Sequence, residues 1–96
     1  MLFVATCIDK PSSLETRKEN RPAHLAYLEE LGPRVKIAGA LLGADLQTPI
    51  GSMLIFEGET EHEIRGILGQ DPYFLAGLFE SVGVRPWRQA VGQSLA

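Results

Sequence analysis

The sequence predicts a small α+β domain whose elements follow one another in the order β-α-β-β-α-β. Three observations carry this prediction. A nearly continuous apolar run opens the chain, as in a strand that is buried on both faces. Two helical patterns each come after a strand, and only a short polar loop separates the two middle strands. The chain of 96 residues fits one domain, which we expect to span residues 1–96.

The first helical region follows the opening strand after a polar turn. Residues 2–8 form the apolar run, and residues 9–12 end it. Ser12 followed by Glu15 matches a capping box, which predicts a helix start. Pro22 lacks an amide hydrogen and its ring clashes with the preceding helical turn, so it favours the start of a new segment. We therefore predict two helical segments, residues 13–18 and 22–31.

The two middle strands are predicted to form a hairpin. Residues 35–42 alternate as a strand does, and residues 51–57 are a second apolar strand. Because the polar stretch between them, residues 43–49, is short, we expect the two strands to pair in antiparallel fashion.

A second helix is predicted after the hairpin. Thr60 followed by Glu63 is another capping box, it precedes apolar residues at helical spacing, and Gly69 ends the helix. The dipeptide Asp71-Pro72 then opens a short turn or helix.

The last strand covers residues 78–84. Pro86 indicates an edge position or the end of that strand, because proline has no hydrogen to donate to a neighbouring strand. The remaining residues, 88–96, are predicted to be a loose tail.

This element order is that of the ferredoxin-like fold, in which a four-stranded antiparallel sheet carries both helices on one face. The other face also needs cover, because residues 2–8 and 53–56 are apolar on both sides. A second copy of the chain, packed sheet to sheet, meets that need. We expect a homodimer, and a higher oligomer remains open.

Composition and charge argue against some classes of partner. Nine basic and twelve acidic residues give a net charge of −3, whereas phosphate binding requires clustered Lys and Arg. The longest apolar stretches are far too short to cross a bilayer. We therefore expect neither nucleic acid nor a membrane as a partner.

The single cysteine, Cys7, cannot form an intramolecular disulfide. The first residues have a strand-like pattern without a basic region or a small-residue cleavage site, so we expect no leader sequence. A reducing cytoplasm is the simplest expectation. Cys7 lies inside an apolar strand, where a thiol is more often core filler than a nucleophile. One cysteine and two separated histidines do not make a zinc site, and no nucleotide-binding glycine pattern is present. We expect no metal and no cofactor.

His24 has a setting that suits chemistry. It follows Pro22 in the predicted first turn of the second segment, where the positive end of the helix dipole favours a neutral imidazole. It shares a helical edge with Leu28 and Leu31, which directs it inward. A half-buried structural histidine is the alternative. His62, among glutamates at a helix start, is expected to face solvent.

Asp71 allows two interpretations. Aspartate before proline is a common helix N-cap, whose carboxylate accepts backbone hydrogen bonds. A carboxylate can also hydrogen-bond an imidazole and fix its tautomer, which makes the imidazole a better general base. The spacing of His24 and Asp71 does not indicate whether they meet.

Four further residues are candidate ligand contacts. Ser52 and Tyr73 are suited to orienting a ligand, and the alternatives are a solvated hydroxyl and a half-buried aromatic ring. Arg17 and Arg21 are suited to binding a carboxylate or phosphate at the mouth of a pocket. The alternative is that both are charges on a helix surface.

Together these residues resemble the YciI-like family over nearly the whole chain. The most specific part is the histidine-leucine pair of the first helix together with Asp-Pro-Tyr. Ala40 departs from the family, which often has proline at this point, and the loop after it is short. The matching segments are the end of the first strand near Asp9-Lys10-Pro11, Arg17, Arg21-Pro22-Ala23-His24-Leu25, Ala38-Gly39, Gly51-Ser52, Asp71-Pro72-Tyr73, Ala76-Gly77 and Val84-Arg85-Pro86-Trp87.

The resemblance implies a ferredoxin-like fold, a dimer of the dimeric α/β barrel type and a pocket with a histidine–aspartate pair. In this chain the pair falls on His24 and Asp71, and a ligand contact falls on Ser52. The family is similar in fold to muconolactone isomerase, and some of its members are dehydrochlorinases.

The leading hypothesis is a cofactor-independent acid/base enzyme, a lyase or isomerase acting on a small anionic organic molecule. His24 would move the proton, Asp71 would orient His24, and Ser52 or an arginine would hold the ligand. A non-catalytic dimeric module that binds a metabolite or a protein is a second hypothesis, and a purely structural interaction domain is a third.

Overall fold

The structure, a computed structural model, describes residues 1–95 and has the predicted ferredoxin-like architecture. The four strands form one antiparallel sheet in the order β2-β3-β1-β4. The helices pack on one face of this sheet, so the predicted fold class is confirmed. The elements are β1 (Leu2–Asp9), α1 (Leu14–Leu31), a 3-10 turn (Gly32–Arg34), β2 (Val35–Leu42), β3 (Pro49–Glu57), α2 (Glu61–Gly69), α3 (Pro72–Leu75) and β4 (Phe79–Trp87).

The core lies between the sheet and the helices. Alternate residues of the two central strands point into it, since Phe3 pairs with Phe56 and Ala5 pairs with Leu54. The leucines of α1 that the sequence placed on one helical edge pack against this cluster together with α2. The apolar residues that the helices add are Leu28, Leu31, Ile64, Ile67 and Leu68.

The first helix is continuous, so the predicted division at Pro22 is wrong. α1 runs without interruption through this proline. A proline inside a helix removes one main-chain hydrogen bond, here the bond to the Lys18 carbonyl. Buried side chains hold the helix on both sides of the gap, Arg17 before it and His24 after it, and these contacts offset the local loss. No helix within residues 1–95 has the length and apolar character needed to cross a membrane.

His24 consequently lies in the interior of α1 rather than in a first turn. The helix-dipole argument for a neutral imidazole does not apply there, because the dipole acts within the first and last turns. The inward direction expected from the leucine edge is confirmed, since only 7% of the His24 surface is exposed.

The two predicted capping boxes have different outcomes. At α1 the box is wrong: Ser13 is the N-cap without a side-chain cap bond, and Ser12 lies before it in a left-handed turn with a φ of 58°. At α2 the Glu63 amide donates to Thr60 Oγ1 at 3.1 Å, as predicted. The Glu63 carboxylate accepts from the Glu59 amide at 2.9 Å, one residue before the N-cap.

The last two strands are longer than predicted. β3 begins at Pro49 rather than at Gly51, and β4 continues through Pro86 to Trp87. β4 is an edge strand that pairs with β1 on one side, so a residue without an amide hydrogen is accommodated there, as expected.

The predicted tail follows β4. Residues 88–95 contain neither helix nor strand, and the Gln89 side chain donates to the carbonyls of Val91 and Gln93. Residue 96 lies outside the described residues. The looseness of this tail in solution stays a prediction.

The sheet face opposite the helices is uncovered and largely apolar. β1 places Val4, Thr6 and Ile8 on this face, in register with β3. Ile8 is 37% exposed, and Ile37 of the neighbouring edge strand is 44% exposed. An apolar surface made by several strands is therefore open on this side.

Candidate active site

His24 and Asp71 are in direct contact. The Nδ1 atom of His24 lies 2.8 Å from Oδ1 and 2.9 Å from Oδ2 of Asp71. Both side chains are buried. Because an ionised carboxylate only accepts hydrogen bonds, Nδ1 carries the hydrogen in this contact. Nε2 is then the basic nitrogen of the neutral ring.

The position of Asp71 follows from its local sequence. It is the N-cap of α3, Pro72 occupies the first turn, and Oδ1 accepts the Tyr73 amide at 2.9 Å. The capping role and the contact with His24 are present together, since a carboxylate has lone pairs for both. The two interpretations drawn from the sequence therefore do not exclude each other.

Tyr73 lies between His24 and Arg17. Its ring is stacked on the imidazole, with centroids 3.9 Å apart and planes inclined by 12°. The Arg17 Cζ atom lies 4.7 Å from the centroid of the Tyr73 ring. Arg17 and His24 are two helical turns apart on α1, which separates them by about 10 Å along the helix axis. This distance leaves room for the Tyr73 ring between their side chains.

Tyr73 is buried rather than half-buried, since only 1% of its surface is exposed. Burial raises the pKa of its hydroxyl, and the nearby Arg17 and Arg21 guanidinium groups only partly oppose this effect. The hydroxyl is therefore protonated at neutral pH and remains a hydrogen-bond donor.

Arg17 is buried, so its interpretation as a surface charge is wrong. Nε donates to Asp9 Oδ2 at 2.8 Å, and Nη2 donates to the Gly51 carbonyl and to Ser52 Oγ, each at 2.7 Å. A buried guanidinium needs a paired charge, and the Asp9 carboxylate supplies it. Ser52 is buried as well, which rules out the solvated hydroxyl considered for it.

A cavity of about 130 Å³ joins these side chains. The candidate residues that line it are Arg17, Arg21, His24, Ser52 and Tyr73. The rest of the wall is apolar or small and comes from Leu25, Leu28, Ala38, Gly39, Ala40 and Leu54. Within residues 1–95, no carboxylate lines the cavity, whose wall therefore combines positive charge with apolar surface.

Asp9 is the site residue that sequence reasoning missed. The sequence predicts only a turn there, whereas the carboxylate anchors Arg17 through two oxygens, at 2.8 and 3.3 Å. One feature of the sequence could have indicated this role. Asp9 directly follows the apolar run of residues 2–8, where a carboxylate is poorly solvated and needs a partner. The partner of that acid is not encoded in any local pattern.

A larger cavity, of about 660 Å³, is formed by the two ends of the chain. It is lined by residues 1–2 and 86–92 together with Ser94. No histidine, cysteine or carboxylate side chain of the described residues lines it, and the terminal ammonium group of Met1 is paired with Glu57. The candidate active site is therefore the smaller cavity.

Cys7 and His62 lie outside the site. Cys7 is completely buried in the core, as predicted, and burial raises the pKa of its thiol to about 12. His62 is exposed on α2, also as predicted. Over residues 1–95, no three His, Cys, Asp or Glu side chains cluster in a way that would hold a metal ion.

Comparison with known proteins identifies the family. The profile of the YCII-related domain matches residues 1–88. The chain belongs to this family. Protein YciI of Escherichia coli O6:H1 is 38% identical over 96 residues, which cover 93% of this chain and 98% of that protein. An uncharacterized protein of Haemophilus influenzae is 32% identical with the same coverage. The resemblance drawn from the motifs is confirmed.

Solved structures agree with this assignment. The 5-chloro-2-hydroxyhydroquinone dehydrochlorinase TftG from Burkholderia phenoliruptrix AC1100, in complex with 2,5-dihydroxybenzoquinone, has a TM-score of 0.87 and 39% identity. The match covers 94% of this chain and 96% of TftG. SnoaB, a cofactor-independent oxygenase from Streptomyces nogalater, has a TM-score of 0.56 and 16% identity over 96% of both chains, which shows a shared fold.

Proposed function

We propose that this chain is a cofactor-independent enzyme of the lyase or isomerase type that acts on a small, anionic organic molecule. His24 moves the proton, and Asp71 holds His24 in orientation. The observation that carries the proposal is the 2.8 Å contact between the His24 Nδ1 atom and the carboxylate, with His24 lining a cavity. The ligand contacts that we assign are Arg17, Arg21, Ser52 and Tyr73.

The contact with Asp71 suits His24 to general base catalysis. An ionised Asp71 accepts the Nδ1 hydrogen and so selects the tautomer with a free Nε2 lone pair. When Nε2 takes a proton, the adjacent carboxylate stabilises the imidazolium. Stacking on Tyr73 fixes the plane of the imidazole. A positioned acid/base group of this kind contributes about 10²- to 10⁴-fold to the rate.

The charge of the cavity wall supports an anionic ligand. The Arg17 guanidinium is buried beside the cavity, and the exposed Arg21 lines it as well. TftG, a dehydrochlorinase, is 39% identical to this chain and its structure holds a small quinone. That similarity supports a small organic molecule as the substrate here.

We also propose that a second copy of the chain covers the open face of the sheet. The apolar side chains on that face include Ile8, Ile37 and Trp87, each more than a third exposed. A chain of this size buries only about two-thirds of its surface by folding, so burial against a second copy adds substantially to stability.

Turnover assays test the catalytic proposal. The first substrate to be tested is 5-chloro-2-hydroxyhydroquinone, whose turnover is measured as chloride release. Small lactones and quinols are tested next, and their turnover is measured as deuterium incorporation from D₂O. We expect His24→Gln to lower kcat/KM by about 100-fold or more. His62→Gln changes an exposed histidine on α2 and is the matched control, which should leave kcat/KM unchanged.

Two outcomes would contradict the catalytic proposal. Turnover that survives His24→Gln would remove His24 from the chemistry. Saturable ligand binding with no turnover by the wild-type protein would favour the alternative, a non-catalytic dimeric binding module.

A further inference from the structure

Three hydrogen-bond donors on buried residues of the cavity wall have no acceptor within residues 1–95. They are Nη1 of Arg17, the hydroxyl of Tyr73 and the hydroxyl hydrogen of Ser52, whose oxygen accepts from Arg17. Every buried side-chain nitrogen or oxygen of the described residues has a hydrogen-bond partner. Nη1 and the Tyr73 oxygen therefore retain accessible surface, and both residues line the cavity.

The basic nitrogen of His24 also lacks a hydrogen-bond partner and retains accessible surface. Nδ1 is bonded to Asp71, and Nε2 has no partner among residues 1–95, so Nε2 is also accessible from the cavity. The nearby carboxylates of Asp9 and Asp71 are engaged by Arg17 and His24 and do not line the cavity. The buried part of the cavity thus presents one proton acceptor beside three donors, and the exposed Arg21 adds a further cation at the wall.

We propose that Arg17, Ser52 and Tyr73 form an oxyanion site, and that the substrate is a carbonyl compound with an acidic C–H that passes through an enolate. This inference rests on the proposed role of His24 as the base. Donors held in place without an acceptor stabilise negative charge that develops on a substrate oxygen, and they do so most strongly where water is excluded.

The proposed step balances without a co-reactant. His24 Nε2 takes the proton as the C–H bond breaks, the electron pair of that bond forms a C=C bond, and the carbonyl π electrons move to oxygen. The oxygen becomes the anion that faces Arg17 and Tyr73. Where the substrate is a β,γ-unsaturated carbonyl compound the anion is a dienolate, and return of the proton to its γ-carbon gives the conjugated isomer. Where the β-carbon carries an anionic leaving group, loss of that group reforms the carbonyl and completes an elimination.

The cavity volume limits the size of this substrate. A dry cavity of about 150 Å³ accommodates benzene in another protein, and this cavity measures about 130 Å³. The enclosed part of the substrate is therefore no larger than one six-membered ring. Ala38 and Ala40 line the cavity from the edge strand β2 and are themselves exposed, so larger substituents extend past this edge.

A pair of probes separates recognition of the anion from recognition of the ring. Benzoate carries an oxyanion on one six-membered ring, and benzamide is its neutral isostere. We expect the full-length protein to bind benzoate about tenfold more tightly than benzamide in NMR titrations, because hydrogen bonds to a charged acceptor are the stronger ones.

Two variants test whether the assigned donors cause that preference. Tyr73→Phe keeps the ring that stacks on His24 and removes only the hydroxyl. Arg17→Lys keeps a positive charge beside Asp9 and removes Nη1. Each variant should lower the ratio of the two affinities by about threefold. The Arg21 guanidinium, which also lines the cavity, accounts for the preference that remains. Circular dichroism checks that each is folded, and Tyr73→Phe keeps the test valid if Arg17→Lys does not fold.

Arg65→Lys is the matched control for the arginine. Arg65 forms an exposed ion pair with Glu61 on α2, remote from the cavity lining, and its replacement should leave the benzoate preference unchanged.

Equal affinity for the two probes, or a preference that neither Tyr73→Phe nor Arg17→Lys lowers, would overturn the oxyanion site. So would the absence of saturable benzoate binding at tens of millimolar. The catalytic proposal is tested apart from this one, because His24→Gln should lower kcat/KM by about 100-fold or more and keep the benzoate preference. Turnover that depends on His24 without any benzoate preference would retain the base and remove the oxyanion site alone.

Discussion

The imidazole of His24 and the ring of Tyr73 lie nearly parallel, with centroids 3.9 Å apart. Asp71 holds the same imidazole by its edge, through Nδ1. The histidine is therefore fixed in two directions by residues that begin one short helix, α3. Contact by edge and by face leaves the imidazole little freedom to rotate, which is the condition that a positioned base requires.

The stack predicts a difference between two substitutions of Tyr73. Tyr73→Leu removes a fully buried ring and should lower the free energy of unfolding by about 2 kcal/mol. Tyr73→Phe should change it by less than about 0.5 kcal/mol, because the hydroxyl has no hydrogen-bond partner within residues 1–95. Urea unfolding measures both values. Equal stability of the two variants would show that the stack contributes little.

Asp71 both caps α3 and orients His24, and we expect different substitutions of Asp71 to affect these two roles differently. Asparagine is nearly as good an N-cap as aspartate, whereas alanine is a poor one. Asp71→Ala should therefore destabilise the protein by about 1 kcal/mol more than Asp71→Asn does. Both variants should lose the preference of His24 for the Nδ1–H tautomer, read from ¹⁵N chemical shifts of the ring. A tautomer unchanged in Asp71→Asn would contradict the orienting role.

The buried pair of Asp9 and Arg17 should matter far more to stability than an exposed pair. Asp9→Ala leaves a buried guanidinium without a counter-charge and should cost about 3 kcal/mol or more. Glu61→Gln, which breaks the exposed pair with Arg65, is the control and should cost less than about 0.5 kcal/mol. Urea unfolding again measures both. A small effect of Asp9→Ala would mean that Arg17 finds solvent when unpaired.

The buried thiol of Cys7 predicts a loss of stability at alkaline pH. Burial raises its pKa from 9.0 to about 12 in the folded chain. Above pH 9 the unfolded chain releases this proton while the folded chain keeps it, so the free energy of unfolding falls as the pH rises. Cys7→Ala should make the decline less steep, measured by thermal unfolding between about pH 8 and 11. Parallel profiles for the variant and the wild type would contradict this prediction.

The proposed dimer predicts that a charge at the centre of the open sheet face separates the subunits. Sedimentation should give about twice the chain mass of 10.5 kDa for the wild type. Thr6→Lys places an ammonium group on the apolar face and should yield the monomer, since an unpaired charge is costly to bury. Ala26→Lys, on the exposed side of α1, is the control and should remain dimeric. A monomeric wild type would remove the dimer from the proposal.

Patterns that depend on neighbouring residues predicted the fold well. The element order, the cap at Thr60, the short helix after Asp71 and the edge position of Pro86 each follow from a few adjacent side chains. The errors concern contacts between distant parts of the chain. Pro22 lies inside α1 because Arg17 and His24 are both held by residues from other elements, which no local pattern reports.

In the candidate site, too, local motifs predicted the residues but not the contacts between distant parts of the chain. The motifs supplied the five candidate catalytic or ligand-contact residues that line the cavity, and they supplied Asp71. They supplied neither the contact of His24 with Asp71 nor the burial of Arg17, because both depend on how α1 lies against β3 and α3. Asp9 was missed for that reason, since its role exists only once Arg17 reaches it.

Pro22 gives the first helix a further property. The turn that lacks a main-chain hydrogen bond lies between Arg17 and His24, the two side chains that α1 offers to a ligand from its buried edge. Because that turn has one main-chain hydrogen bond fewer, we expect the interior of the helix to open there at a lower cost than at its other turns. A ligand held at both ends bridges the turn, so part of the binding free energy appears as slower amide exchange in the middle of α1. Occupancy of the cavity could then be read from the backbone of a single helix, without any knowledge of the reaction.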